Sequence, residues 1–228
     1  MTQAVSQIPF DLAYPPSFQR ADFLVAPCNQ DALAWIDTWP DWPGPALILH
    51  GPAASGKSHL AAIWSARSQA TRLSPLYLET CPTQIISPLV IDRVDLAIGD
   101  IDMETCLFHI YNMAKEGGFT LLLTSAAPMQ TLAFTLPDLA SRLRAAASVG
   151  ISPPDDALLQ AVLTKLFSDR QLQVSADVIT FAVTRMERSF GAAHALVSAA
   201  DALALSQRKP ITLGIIRQVL AVADNPLV

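Results

Sequence analysis

The chain has 228 residues, 51% of them hydrophobic, with a formal net charge of −5 and an isoelectric point near 5.2. That length supports a sizeable core, while the acidic balance argues against a protein whose main work is neutralising a DNA backbone with Lys and Arg. Three cysteines without CxxC spacing, an opening MTQAVSQIPFDL without basic and apolar signal regions, and apolar runs too short for a bilayer point to a reducing cytoplasm and no membrane span.

Residues 1–16 hold Pro9, Pro15 and Pro16 and are expected to form an extended tail. NQDALAWIDTW (29–39) suits a helix with Asn29 as N-cap, and PDWPGP (40–45) is a loop. ALILH (46–50) reads as a buried strand, followed by GPAASGKS and a helix to about Gln69. LYLE (76–79) and PLVID (88–92) are expected as two more strands. Residues 103–116 are helical in pattern and stop at Gly117-Gly118, and TLLLTS (120–125) is a further strand. Strands alternating with helices predict a parallel sheet covered on both faces. After Pro153-Pro154 the pattern is helical throughout, with Asp155, Ser175 and Thr212 as N-caps. The expected organisation is a tail (1–16), an α/β nucleotide-binding domain (17–152) and a small all-helical domain (153–228).

Gly51-Pro52-Ala53-Ala54-Ser55-Gly56-Lys57-Ser58 matches GxxxxGK[ST], between a strand and a helix as the motif requires. The glycines let backbone N–H groups face phosphates, and the helix N-terminus adds positive potential. Lys57 then reaches the β- and γ-phosphates and the Ser58 hydroxyl holds Mg²⁺. Asp92, ending an apolar strand, suits a second Mg²⁺-directed carboxylate. Where a hydrolytic site often carries another acid, this chain has Arg93, so weak intrinsic hydrolysis is expected. Asp95 is assigned no role. The tryptophans at 35, 39, 42 and 64 read as core and loop anchors, and His109 and His194 as structural side chains.

Three further stretches carry a family resemblance: FLVAPCNQDALAWI (23–36), ETCLFHIYNMAKEGGFTLLLTSAAP (104–128) and LPDLASRLRAA (136–146). Together with the phosphate loop they resemble the AAA+ domain of DnaA, the bacterial replication initiator, over roughly residues 17–220. The resemblance implies an AAA+ P-loop NTPase core with a parallel sheet, followed by a helical lid. It places Val25 near the adenine, extends the nucleotide-binding set to His59, Asp92 and Thr124, and offers Thr124 and Ser125 as a polar sensor that Asn112 helps to position. Gly191 stands where the family's lid carries a nucleotide-sensing arginine, with Arg188 as the substitute. Arg142 is implied as an arginine finger acting in trans, with Arg144 as the fallback.

The chain ends at Val228, so a DNA-reading helix-turn-helix domain, and with it sequence-specific DNA binding, is not expected. Gln7-Ile8-Pro9-Phe10-Asp11-Leu12 is similar to a sliding-clamp-binding peptide, with closely spaced apolar residues after a Gln. An AAA+ core of this kind with such a tail resembles the Hda branch of the DnaA-related family. That branch couples the DNA polymerase III sliding clamp to hydrolysis of DnaA-bound ATP. The resemblance implies ADP or ATP with Mg²⁺ as ligands, ADP being the expected resident. It implies DnaA and the clamp as partners, and leaves a homo-oligomer open. The competing reading is a self-contained ATPase resembling a helicase loader. A small-molecule kinase is disfavoured, because no acceptor-binding motif accompanies the helical C-terminal part.

Overall fold

The computed structural model describes residues 20, 23–75, 78, 81–84 and 86–223; Gln7 to Leu12 lie outside them. Five strands form one parallel sheet: β1 (Ala46–His50), β2 (Thr71–Leu73), β3 (Leu89–Ile91), β4 (Leu121–Ser125) and β5 (Ala147–Gly150), in the order β2-β3-β4-β1-β5. In β1, flanked by β4 and β5, successive side chains alternate between faces. Leu47 and Leu49 join a core with Leu60, Ile63 and Trp64 of α2 (Lys57–Ser68) and with Leu33 and Ile36 of α1 (Gln30–Thr38). Ala46 and Ile48 join the opposite core, with Leu107 and Ile110 of α3 (Ile101–Gly117) and Leu139 and Leu143 of α4 (Pro137–Ala145). Burial on both faces is why these strands read as unbroken apolar runs.

The edges of the sheet differ from the sequence reading. The strand beside β3 is Thr71–Leu73, paired Thr71 to Leu89 and Leu73 to Ile91. Leu78, expected in a strand at 76–79, is buried outside any strand, and residues 76, 77 and 79 lie outside the described set. β5 was not anticipated. Both edge strands are too short for their own sequence to show period-two alternation, and they exist because neighbouring strands offer a ladder. Asn29 does occupy the N-cap position of α1, but its side chain makes no capping bond. Instead it is buried and folds back on the lead-in, accepting from Ala26 N (2.9 Å) and donating to Leu24 O (2.9 Å). The tryptophans are anchors, as read: fully buried Trp64 stacks on Trp42 at 5.4 Å and meets Trp39 edge-on at 6.1 Å.

A separate apolar core holds the C-terminal helices together: α5 (Asp156–Asp169), α6 (Ala176–Val183), α7 (Phe190–Gln207) and α8 (Leu213–Ala223). Asp155 caps α5 through Leu158 N (2.8 Å), and Ser189 caps α7 through Ala192 N (3.0 Å). Among the described residues no helix is long and apolar enough to cross a membrane.

Glu104, unnoticed in the sequence, fixes the entrance to α4. Fully buried on α3, it accepts from Gly99 N (2.7 Å) and Thr135 N (2.9 Å) through Oε1 and from Leu136 N (2.5 Å) through Oε2. Truncating it strands three backbone donors, each costing about 1–3 kcal/mol when left without a partner. Glu104→Ala is therefore expected to lower stability by about 3 kcal/mol or more in a urea melt, with Glu104→Gln costing less.

Candidate functional site

The loop from β1 to α2 lies at the C-terminal ends of the parallel strands, where open α/β sheets place their ligands. Gly51 N donates to Ser125 O of β4 (3.2 Å), tying the start of the loop to the sheet. At its end Gly56 has φ +96°, a conformation that strains any L side chain, and there the chain turns into α2. Pro52, Ala53 and Ala54 are exposed, Ser55 is buried, and Ser58 is exposed in the first turn of α2. Lys57 Nζ curls back on the loop, donating to Gly51 O (2.7 Å), Pro52 O (2.6 Å) and Ser55 Oγ (3.4 Å). Burial pushes the Lys57 ammonium below its usual pKa, opposed most strongly by the charge of Asp95; Arg93 adds to the lowering and Asp92 opposes it more weakly.

The acidic side of the site answers what Arg93 does. Its backbone is left-handed (φ +54°) and its N–H donates to Thr124 Oγ1 (2.8 Å), while its side chain is 62% exposed and 3.9 Å from Asp95. Arg93 thus turns outward. Thr124 in turn donates to Asp92 Oδ1 (3.1 Å), so the structure does bring these two sequence-selected residues together. The other oxygen of Asp92 is taken by a residue the sequence reading did not select: Arg72 Nη2 of β2 pairs with Oδ2 at 2.5 Å. The pair walls a cavity of about 420 Å³ that Leu73, Arg93, Leu96 and Met103 also line. Asp95 accepts from Ala126 N (3.0 Å), which orients it at the end of β4. Ser125 is spent on its own turn, donating to Ala127 O (2.6 Å).

The helical segment closes on the loop from above. A Cβ on Gly56 would touch the rings of Phe23 (3.7 Å) and Phe190 (3.9 Å), so the lead-in and the first turn of α7 converge there. Phe23 also meets His59 edge-on at 5.2 Å, whereas Val25 is 53% exposed. A Cβ on Gly191 would fall 2.9 Å from the Ala54 Cβ, so α7 has no room for a side chain at 191 with the loop in this position. Arg188 points elsewhere and pairs with Asp156 at 3.0 Å.

Arg142 stands apart, and none of its recorded contacts involves the phosphate loop. It donates to Asn112 Oδ1 and lies over the rings of Phe108 (4.5 Å to the centroid) and Tyr111 (5.6 Å). Asn112 therefore holds Arg142 rather than the Thr124 region. The FHIYN stretch of α3 becomes a cradle for a guanidinium, and α4 supplies that guanidinium from a position Glu104 fixes. Arg144 is engaged by Leu132 O (3.2 Å), Met129 O (3.5 Å) and the Phe134 ring. Among the described residues no cluster of His, Cys, Asp and Glu could hold a metal without further ligands.

A parallel five-stranded sheet, a phosphate loop after the interior strand β1 and helices following give the chain an AAA+-like α/β core. Its fold resembles that of DnaA domain III. Domain III of Thermotoga maritima DnaA superposes with a TM-score of 0.78 at 17% identity, covering 91% of this chain and 97% of that one. AMPPCP-bound DnaA from Aquifex aeolicus gives 0.69 at 16% identity, covering 84% and 66%. In sequence the chain is 26% identical over 238 residues to the chromosomal replication initiator protein DnaA of Thermomicrobium roseum. That match takes in 92% of this chain but spans only half the length of the initiator. No protein-family model matches.

Proposed function

We propose that this chain is a nucleotide-bound AAA+ regulator of replication initiation, in which residues 17–152 bind ADP or ATP and residues 153–228 act as a lid. The chain is tethered to the sliding clamp by Gln7, Ile8, Pro9, Phe10, Asp11 and Leu12. It offers Arg142 to the ATP held by DnaA. The observation that carries this reading is the separation of two devices: a phosphate loop with a buried lysine, and an arginine pre-ordered on α3 away from that loop.

The residues divide the work as follows. Backbone N–H groups from Ala53 to Lys57 cradle phosphates, and Lys57 exchanges its loop carbonyls for phosphate oxygens. Ser58 and Asp92 are the oxygen donors that fit Mg²⁺, a hard cation, and when bound that ion neutralises phosphate charge. The T-shaped Phe23–His59 pair and Phe190 supply apolar surface beside Gly56 for a nucleoside, and the half-exposed Val25 adds to it. Thr124 reads Asp92. Arg188 braces the start of the lid through Asp156, and the first turn of α7 comes against Ala54 where the lid arginine of the family would reach.

The site is built to hold nucleotide rather than to turn it over. Asp92 is half-neutralised by Arg72, and Arg93 carries no carboxylate to orient water. Purified protein is expected to retain nucleotide with little intrinsic turnover. Arg72→Gln, which releases Asp92, is expected to raise that turnover several-fold in a phosphate-release assay. Fast wild-type turnover that Arg72→Gln leaves unchanged would instead favour a self-contained remodelling ATPase.

A further inference from the structure

Away from the phosphate loop, α6 and α8 pack together, and two arginines share one aromatic ring there. Arg185 Cζ lies 4.0 Å from the centroid of Phe181 and Arg217 Cζ 5.3 Å from it. The three residues, with Leu220 and Ala221, line an open cavity of about 330 Å³. Several other arginines meet carboxylates, as Arg72 meets Asp92, Arg170 meets Asp201 and Arg188 meets Asp156, while Arg142 and Arg144 are held by amide and backbone oxygens. Among the described residues no acid pairs with Arg185 or Arg217; Arg185 donates only to the neighbouring Thr184 hydroxyl (3.2 Å). Among the described residues, two guanidinium groups on one ring without a carboxylate make this cavity locally positive in a chain with 20 acids and 15 Lys plus Arg.

We propose that this cavity is a docking site for an acidic segment of a partner protein, with a carboxylate held between Arg185 and Arg217 and an adjacent apolar side chain resting on Leu220 and Ala221. The Phe181 ring attracts both guanidinium groups, which offsets part of the repulsion between the two cations and restrains them. Little rotamer freedom is then lost when a carboxylate arrives, and each planar fork matches a carboxylate in a bidentate fashion. Arginine and aromatic residues over an apolar floor are also the composition of a protein-binding hot spot. Nucleic acid is the poorer fit. Its affinity grows with the number of phosphates neutralised, whereas two basic side chains line this cavity and the chain as a whole is acidic. The proposal is independent of nucleotide binding.

The test is fluorescence anisotropy of a labelled peptide of alternating glutamate and leucine, titrated with the full chain at low salt. Arg185→Gln, Arg217→Gln and, as control, Arg208→Gln are titrated alongside, each checked for an unchanged thermal melt. The site predicts binding that weakens about tenfold in each of the first two variants and stays within about twofold in the control. No binding by wild type, or equal binding by all four proteins, overturns the proposal. Oligothymidylate bound more tightly than the peptide, and lost in the same two variants, overturns it in favour of a nucleic-acid surface.

Discussion

Arg142→Ala is expected to remove nearly all stimulation of DnaA-bound ATP hydrolysis, a loss of about 10³-fold, the lower end of what an arginine finger supplies. A guanidinium acts there by meeting charge that develops on the γ-phosphate, so only a residue placed in advance contributes fully. In the structure Asn112 accepts a hydrogen bond from Arg142, and the Phe108 and Tyr111 rings lie beside its guanidinium, which supports that reading. The cradle makes the prediction specific. Asn112→Ala and Phe108→Leu should each lower the stimulated rate, by about tenfold, while clamp binding and nucleotide content stay unchanged. Arg142→Lys should behave like alanine, because an ammonium cannot reproduce the planar fork. Arg144→Ala should leave the chemistry nearly intact, since the FHIYN stretch of α3 cradles Arg142, and Arg144 meets the backbone carbonyls of Met129 and Leu132 instead. Single-turnover phosphate release separates these variants.

Lys57→Ala is expected to weaken ADP and ATP binding by about 3 kcal/mol, roughly a hundredfold, because the phosphate charge then loses its ammonium counterpart. In the structure the ammonium is held by the carbonyls of Gly51 and Pro52, which a phosphate would displace. Removing it therefore also loosens the loop on which the first turn of α7 rests through Ala54 and Gly191. The variant should lose the thermal stabilisation that ADP gives wild type, while its melt without nucleotide shifts only by a few degrees. Equilibrium titration with a fluorescent ADP analogue reads the affinity directly.

What was legible in the sequence was what local pattern encodes. ALILH and TLLLTS announce central strands because both their faces are buried, GPAASGKS announces the phosphate loop, and Asp155 announces the start of α5. What was hidden depends on residues far apart in the chain. Arg72 meets Asp92 only because β2 and β3 pair side by side, and a three-residue edge strand carries no period of its own. Glu104 looks like one more acid in the first turn of a helix, yet its oxygens reach across to Thr135 and Leu136. The family resemblance links Asn112 to the Thr124 sensor, and the packing of α4 on α3 gives it Arg142 as a partner. Asp95 had no assigned role, and it is the acid that bears most strongly on Lys57.

The decisive measurement is hydrolysis of ATP pre-bound to DnaA, with the sliding clamp loaded on DNA, in the presence and absence of this chain. Wild type is expected to accelerate hydrolysis markedly, and Arg142→Ala and Gln7→Ala to lose that acceleration, the first through the chemistry and the second through the tether. Unchanged DnaA-bound ATP, alongside rapid turnover of ATP by the chain itself, would contradict the proposed function.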